Sequence, residues 1–116
     1  MARPILFLLK PGFFDGSEGP FFCPDCAMVE GFLAYMPQIG DEVEIRRIDF
    51  KKPRKEIVEL LGEENQGCPV LILTNDADNV SDEIKRSQTT GRSFIAGALE
   101  ICRFLGKKFR FAIPHS

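Results

Sequence analysis

No apolar run in the sequence is long enough to cross a bilayer. The run near the N-terminus, Ile5 to Leu9, stops at Lys10 and Pro11, short of the ~20 residues a spanning helix needs. It is also too short for the core of a secretory signal and reads better as a buried strand. No membrane partner is expected, and the default setting is the cytoplasm, where thiols stay reduced. An excess of one charge is missing too. Lys and Arg number 15 against 17 Asp and Glu, a formal net charge of -2, so nothing calls for nucleic acid or anionic lipid as a partner. Histidine is nearly absent. The single one, His115, is next to the last residue, so a metal site would have to draw mainly on cysteine. Internal repeats and low-complexity segments are absent as well.

What is present fits one domain over residues 1–116. Hydrophobic residues make up 44% of the chain, enough for a core without disulfide or metal staples. Four cysteines in a reducing setting do not predict a structural disulfide framework. They point instead to redox chemistry or to metal.

The pattern along the chain alternates. Pro4 to Leu9 predicts a central strand. Residues 10–22, "KPGFFDGSEGPFF", are rich in Gly and Pro and predict a long loop. A helix is expected from Pro24 to Pro37, with Met28, Val29, Phe32, Leu33 and Met36 on one face. Residues 42–50 predict a strand through Val43, Ile45 and Ile48. Pro53 opens a second helix that Gly62 stops. "GCPVLILT", residues 67–74, predicts a strand buried on both faces. The polar stretch 75–92 leaves room for a weak edge strand or a short helix. A last helix carries Ile95, Ala98, Leu99, Cys102 and Leu105 on one face, with Ser93 capping its start and Gly106 its end. The tail 110–116 stays unassigned. This order implies an α/β layer with a mainly parallel core.

The stretch "FFCPDCAMVEGFLAYM" begins at Phe21 and holds the chemistry. Cys23 falls at the helix N-cap and Cys26 in the first turn. Residues three apart on a helix have Cβ atoms about 5–6 Å apart, and a disulfide wants roughly 3.5–4.5 Å. A first-turn position closes that gap with a small adjustment. The exposed Cys23 would lie against free N–H groups and the positive end of the helix, which favours a thiolate. Cys26, one turn in, would be more buried. Cys23 can then attack a disulfide, and Cys26 can resolve the mixed disulfide that forms. Asp25 opposes a second negative charge beside Cys23, which predicts a reducing pair. A proline opening a buried strand is unusual. A cis bond between Cys68 and Pro69 would explain it and would leave the Cys68 backbone open to an extended substrate.

With these motifs the sequence resembles the thioredoxin superfamily. "FFCPDC" looks like the W-C-P-D-C of small cytosolic thioredoxin-related proteins. "IAGALEICRFLGKKF" is similar to the last helix of glutaredoxins and glutathione transferase N-domains. The likeness covers about residues 4–106, is specific only in "CPDC" and "CPVLIL", and suggests a bacterial branch. It implies a thioredoxin-like fold, a small mixed sheet with helices on both faces. It further implies Cys23 as nucleophile, Cys26 as resolving thiol, and a substrate-binding rim of Phe22, Pro24, Asp25, Cys68 and Pro69. Pro69 would face the dithiol as the cis-proline. The substrate would be a protein or small-molecule disulfide, glutathione among the candidates, with no resident metal or cofactor. Three departures stand out. Phe22 replaces the usual Trp, "PILFLL" has no acid to take a proton from Cys26, and Cys68 replaces a small β-branched residue.

Other readings compete. Cys23, Cys26 and Cys68 offer three ligands for a metal, and an iron–sulfur cluster shared between subunits is a variant of the same idea. A non-catalytic module binding a metal, a cluster or a protein partner through these sulfurs is thus the alternative. Cys102 reads as a small buried hydrophobe. "KKPRK", residues 51–55, reads as a solvated helix start or an anchor for a glutathione carboxylate. Phe13, Phe14, Phe21 and Phe22 either anchor their loop or form an apolar rim around the dithiol. "TTGRS", residues 89–93, reads as a loop and cap rather than an anion site.

Overall fold

The computed structural model describes residues 3–74 and 82–115. In chain order its strands are β1 Ile5–Leu9, β2 Phe13–Asp15, β3 Glu18–Phe21, β4 Glu44–Ile48, β5 Val70–Ile72, β6 Lys85–Arg86 and β7 Ser93–Ala96. Its helices are α1 Pro24–Tyr35, α2 Lys55–Leu61 and α3 Ala98–Lys108, with a short 3-10 turn at Pro37–Asp41. The fold is α/β. Five strands form one mixed sheet in the order β4-β1-β5-β7-β6, and β2 and β3 form a separate hairpin.

The sheet buries both of its faces. Along β1, Leu6 and Leu8 point into a core built with Val29, Phe32 and Leu33 of α1 and Ile101, Cys102 and Leu105 of α3. Ile5 and Phe7 point the other way, onto Ile57 and Leu61 of α2. β5 alternates likewise, with Leu71 in the first core and Ile72 in the second. This two-sided burial is why both strands read as unbroken apolar runs. Leu6 and Leu71 are fully buried, and cutting either to Ala would cost about 2–5 kcal/mol.

Several expectations are corrected. The core is not mainly parallel. β1 pairs with β4 in parallel, but the β1–β5, β5–β7 and β6–β7 pairs are antiparallel. The connection from β4 to β5 starts and ends at the same end of the sheet, because β4 runs parallel to β1 and β5 antiparallel to it. Strand–helix alternation carries no trace of that return. Residues 10–22 hold the β2–β3 hairpin. Its Gly and Pro make the bends, and its strands are too short and exposed to show a period. Pro53 lies outside α2, which starts at Lys55 with Arg54 as N-cap. Ser93 opens β7 instead of capping a helix, and Ile95 lies on that strand. α3 therefore begins later, after Gly97, and Leu99 turns out to solvent. Met28 is also partly exposed, while Cys26 joins the buried face of α1.

Gly106 does not end α3 either. The helix runs on to Lys108, and Gly106 is where the C-terminal tail crosses it. A Cβ there would clash with the Ala112 carbonyl oxygen. Phe111 N–H donates to the Gly106 carbonyl at 2.9 Å, and the Phe111 ring packs edge-on against Phe32. Of the polar stretch 75–92, residues 75–81 lie outside the described residues. The remainder supplies β6, a two-residue edge strand.

Candidate functional site

The site lies at the end of β1 where α1 begins. Cys23 is the N-cap of α1, with an extended backbone, and Pro24 fills the first helical position. The Cys23 Sγ accepts the Cys26 N–H at 3.2 Å. It thereby satisfies one of the amides a helix start leaves without a partner. The sulfur lies at the positive end of the helix, a setting that favours anions. Cys23 is half-buried, whereas Cys26 is 2% exposed. The backbone N–H of Leu9, the last residue of β1, donates to the Cys26 Sγ at 3.4 Å.

Sheet register brings in the third sulfur. Ile5 pairs with Ile72, Leu6 with Leu71 and Phe7 with Val70. Carrying that antiparallel register to the end of β1 sets Cys68 alongside Leu9. The Cys68–Pro69 bond is cis, as its place at the strand start predicts. Pro69 is buried and Cys68 half-buried. The Cys23 thiol points at the Cys68 carbonyl oxygen, 3.9 Å away. None of the four cysteines is in a disulfide.

The sulfurs influence one another. Burial pushes the Cys26 thiol up to about 12 from its ordinary 9.0. Its hydrogen bond with Cys23 and the charges of Cys23 and Cys68 add to that, while the Leu9 N–H works the other way. Burial likewise pushes Cys68 up to about 11, opposed by the positive charge of Arg54. Among the described residues no carboxylate acts on Cys26, in keeping with the acid-free first strand, and the Leu9 amide is the one group that favours the Cys26 thiolate.

The rim predicted from sequence is split. Phe22, Pro24 and Asp25 are exposed on the outer side of the motif, and Cys68 and Pro69 form the inner wall. Phe14, Phe21 and Phe22 expose large parts of their rings. Phe13 does not. It stacks flat on Phe50, ring centroids 4.3 Å apart, and ties the hairpin to the chain after β4. The "TTGRS" hydroxyls close the end of α2: Thr90 Oγ1 donates to the Leu60 carbonyl at 2.7 Å and Thr89 Oγ1 to Glu64 Oε2 at 2.6 Å.

Sequence reasoning missed two groups. Arg54, read within a solvated basic cluster, is only 8% exposed. Its Nε and Nη2 donate to the Phe50 carbonyl at 3.0 and 2.7 Å, and its Nη1 to the Gln66 carbonyl at 2.7 Å. A lone Arg before a short helix has no period to betray its burial. The Leu9 amide was missed because a backbone donor leaves no mark in a side-chain pattern. Lys51, Lys52 and Lys55 are exposed, as a solvated cluster implies. Among the described residues, no three His, Cys, Asp or Glu side chains converge to hold a metal ion, and no helix is long and apolar enough to cross a membrane.

Comparison with known proteins places the chain in one family. Residues 3–113 match the model of a family described as a protein of unknown function, DUF3088, and the chain belongs to that family. No curated protein and no solved structure gives a significant match.

Proposed function

We propose that the protein is a thiol–disulfide oxidoreductase on a thioredoxin-like fold, with Cys23 as nucleophile and Cys26 as resolving thiol. The Cys23 thiolate attacks one sulfur of a substrate disulfide. A bond forms between Cys23 and that sulfur, and the other substrate sulfur leaves as a thiolate. Cys26 then loses its proton to solvent and attacks the Cys23 sulfur. The Cys23–Cys26 bond forms and the second substrate thiolate departs. The substrate gains two electrons and the protein dithiol loses them.

The observation that carries this reading is the Cys23 sulfur. It is half-exposed, at the positive end of α1, hydrogen-bonded to the Cys26 N–H at 3.2 Å, with its buried partner one turn inward. Further support comes from the sheet. β1 lies between a parallel β4 and an antiparallel β5 that opens with a cis-proline next to the sulfurs, an arrangement in keeping with the thioredoxin-like resemblance of the motifs. Exposed Phe14, Phe21 and Phe22 favour a substrate with apolar surface, a protein disulfide before a small one. Glutathione remains within the class, and the cytoplasm is the matching compartment. The alternative is a module holding a metal, a cluster or a partner through Cys23, Cys26 and Cys68; its metal and cluster forms have no converged ligand set among the described residues to support them.

The test is direct. The purified protein is oxidised with diamide, alkylated and mapped by mass spectrometry, and its disulfide reductase activity is compared with that of Cys23→Ser. A Cys23–Cys26 bridge and loss of activity in the variant are expected. No bridge, or unchanged activity in Cys23→Ser, overturns the reading.

A further inference from the structure

The redox reading, on which this rests, gives Cys68 and Cys102 no role, and of the two Cys68 is the one at the site. Cys68 is the residue before the cis-proline, half-buried at the edge of both cores. The Cys23 thiol is aimed at its backbone carbonyl at 3.9 Å, so the two residues meet across the mouth of the site. Cys23 therefore has Cys26 one turn away on α1 and the backbone of Cys68 beside it, at the start of β5. The two differ in access, because Cys26 is 2% exposed and Cys68 keeps contact with solvent.

They differ in charge as well. The guanidinium of Arg54 is fixed by the carbonyls of Phe50 and Gln66. Its positive charge acts on the Cys68 thiol, drawing it toward the thiolate against the effect of burial. Among the described residues no cation acts on Cys26. A buried arginine held by backbone carbonyls does not swing away, so the cation is a permanent part of the Cys68 surroundings.

We propose that Cys68 is a second resolving thiol, which competes with Cys26 for the mixed disulfide on Cys23 and closes a Cys23–Cys68 bridge. In that step Cys68 gives its proton to solvent and attacks the Cys23 sulfur. The Cys23–Cys68 bond forms, the Cys23–substrate bond breaks, and the substrate leaves as a thiolate that takes up a proton. Two electrons pass from the protein to the substrate, as in the Cys26 route. The oxidised protein is then a pair of isomers. Cys26 interconverts them by attacking Cys23 and releasing Cys68, with no further oxidant or reductant. Oxidation through Cys68 also ties the start of β5 to the start of α1, which the Cys23–Cys26 bridge does not.

The experiment separates this proposal from the reading beneath it. Wild type, Cys26→Ser and Cys68→Ser are treated with hydroxyethyl disulfide, and the mercaptoethanol released and the peptides formed are followed by mass spectrometry. In Cys26→Ser the mercaptoethanol adduct on Cys23 is expected to be lost and a Cys23–Cys68 peptide to appear. A stable adduct on Cys23 in that variant, while Cys68→Ser still closes Cys23–Cys26, overturns the proposal and leaves the oxidoreductase reading intact. Closure in neither variant nor wild type overturns both. Cys26→Ala repeats the test should a buried serine unfold α1, with far-UV circular dichroism as the check on folding. Arg54→Gln, in the Cys26→Ser background, is expected to slow adduct loss; an unchanged rate overturns the part given to the guanidinium.

Discussion

Cys26 and Cys102 lie in the same core on the same face of the sheet, one on α1 and the other on α3. Both are almost wholly buried, at 2% and 1% exposure. Burial alone pushes the Cys102 thiol up, to about 11. At Cys26 burial is joined by Cys23, Cys68 and the Leu9 N–H. Equal burial therefore yields two different residues. At Cys102, among the described residues, burial is the one cause at work, and the sulfur behaves as a small hydrophobe. Around Cys26 it answers other sulfurs and a backbone donor, which is what exchange chemistry requires.

The contrast is broken most sharply by activity. Cys23→Ser should bring disulfide reductase turnover down to background, while Cys102→Ala should leave turnover unchanged; equal losses in a coupled assay would erase the distinction. Next in size is a change confined to the α3 side. Gly106→Ala forces a Cβ against the Ala112 carbonyl and should destabilise by ~1–3 kcal/mol in urea melts, yet leave oxidation of Cys23 and Cys26 unaltered. If bridge formation fails in folded Gly106→Ala, the two regions are not separate.

Alkaline pH sharpens the comparison further. The thiols of Cys26, Cys68 and Cys102 all ionise later in the folded protein than at their ordinary 9.0. The unfolded chain then loses protons first as pH rises, so stability falls above 9. The fall from Cys68 and Cys102 levels off near 11 and that from Cys26 near 12. Melting temperature should therefore drop across this window, and less steeply in Cys102→Ala than in wild type. An equal slope in the two proteins would remove Cys102 from the account. Smallest of all are the surface ion pairs. Glu30 on α1 holds Arg47 of β4 through two contacts at 2.8 and 2.7 Å, and Arg103 of α3 holds Glu83. Arg47→Met and Arg103→Met should each cost about 0.2–1 kcal/mol, with thiol accessibility to iodoacetamide unchanged in both.

Much of the fold was legible because burial leaves a period. "PILFLL" and "CPVLIL" gave the central strands, and Pro24 with Val29, Phe32 and Leu33 gave α1. Strand direction was not legible, since it depends on where the chain turns back after Gly62. Nor was β7, four residues parted from α3 by Gly97 alone, whose apolar positions merge with the helix that follows. Of the site, Cys23 at a helix start and a cis bond before Pro69 followed from local chemistry. Arg54 and the Leu9 amide did not. Both act through tertiary contacts, and neither Arg as a residue type nor a backbone N–H announces its partner.

The amide of Leu9 closes β1 and at the same time addresses a sulfur on α1. The electronic state of that sulfur is thereby wired to one particular proton of the backbone. In a nitrogen–proton spectrum the Leu9 cross-peak becomes a gauge of the thiol: its position and its exchange with deuterated water track whether Cys26 is reduced, bridged or alkylated. A single labelled residue is then enough to follow the redox state of the protein without touching a cysteine.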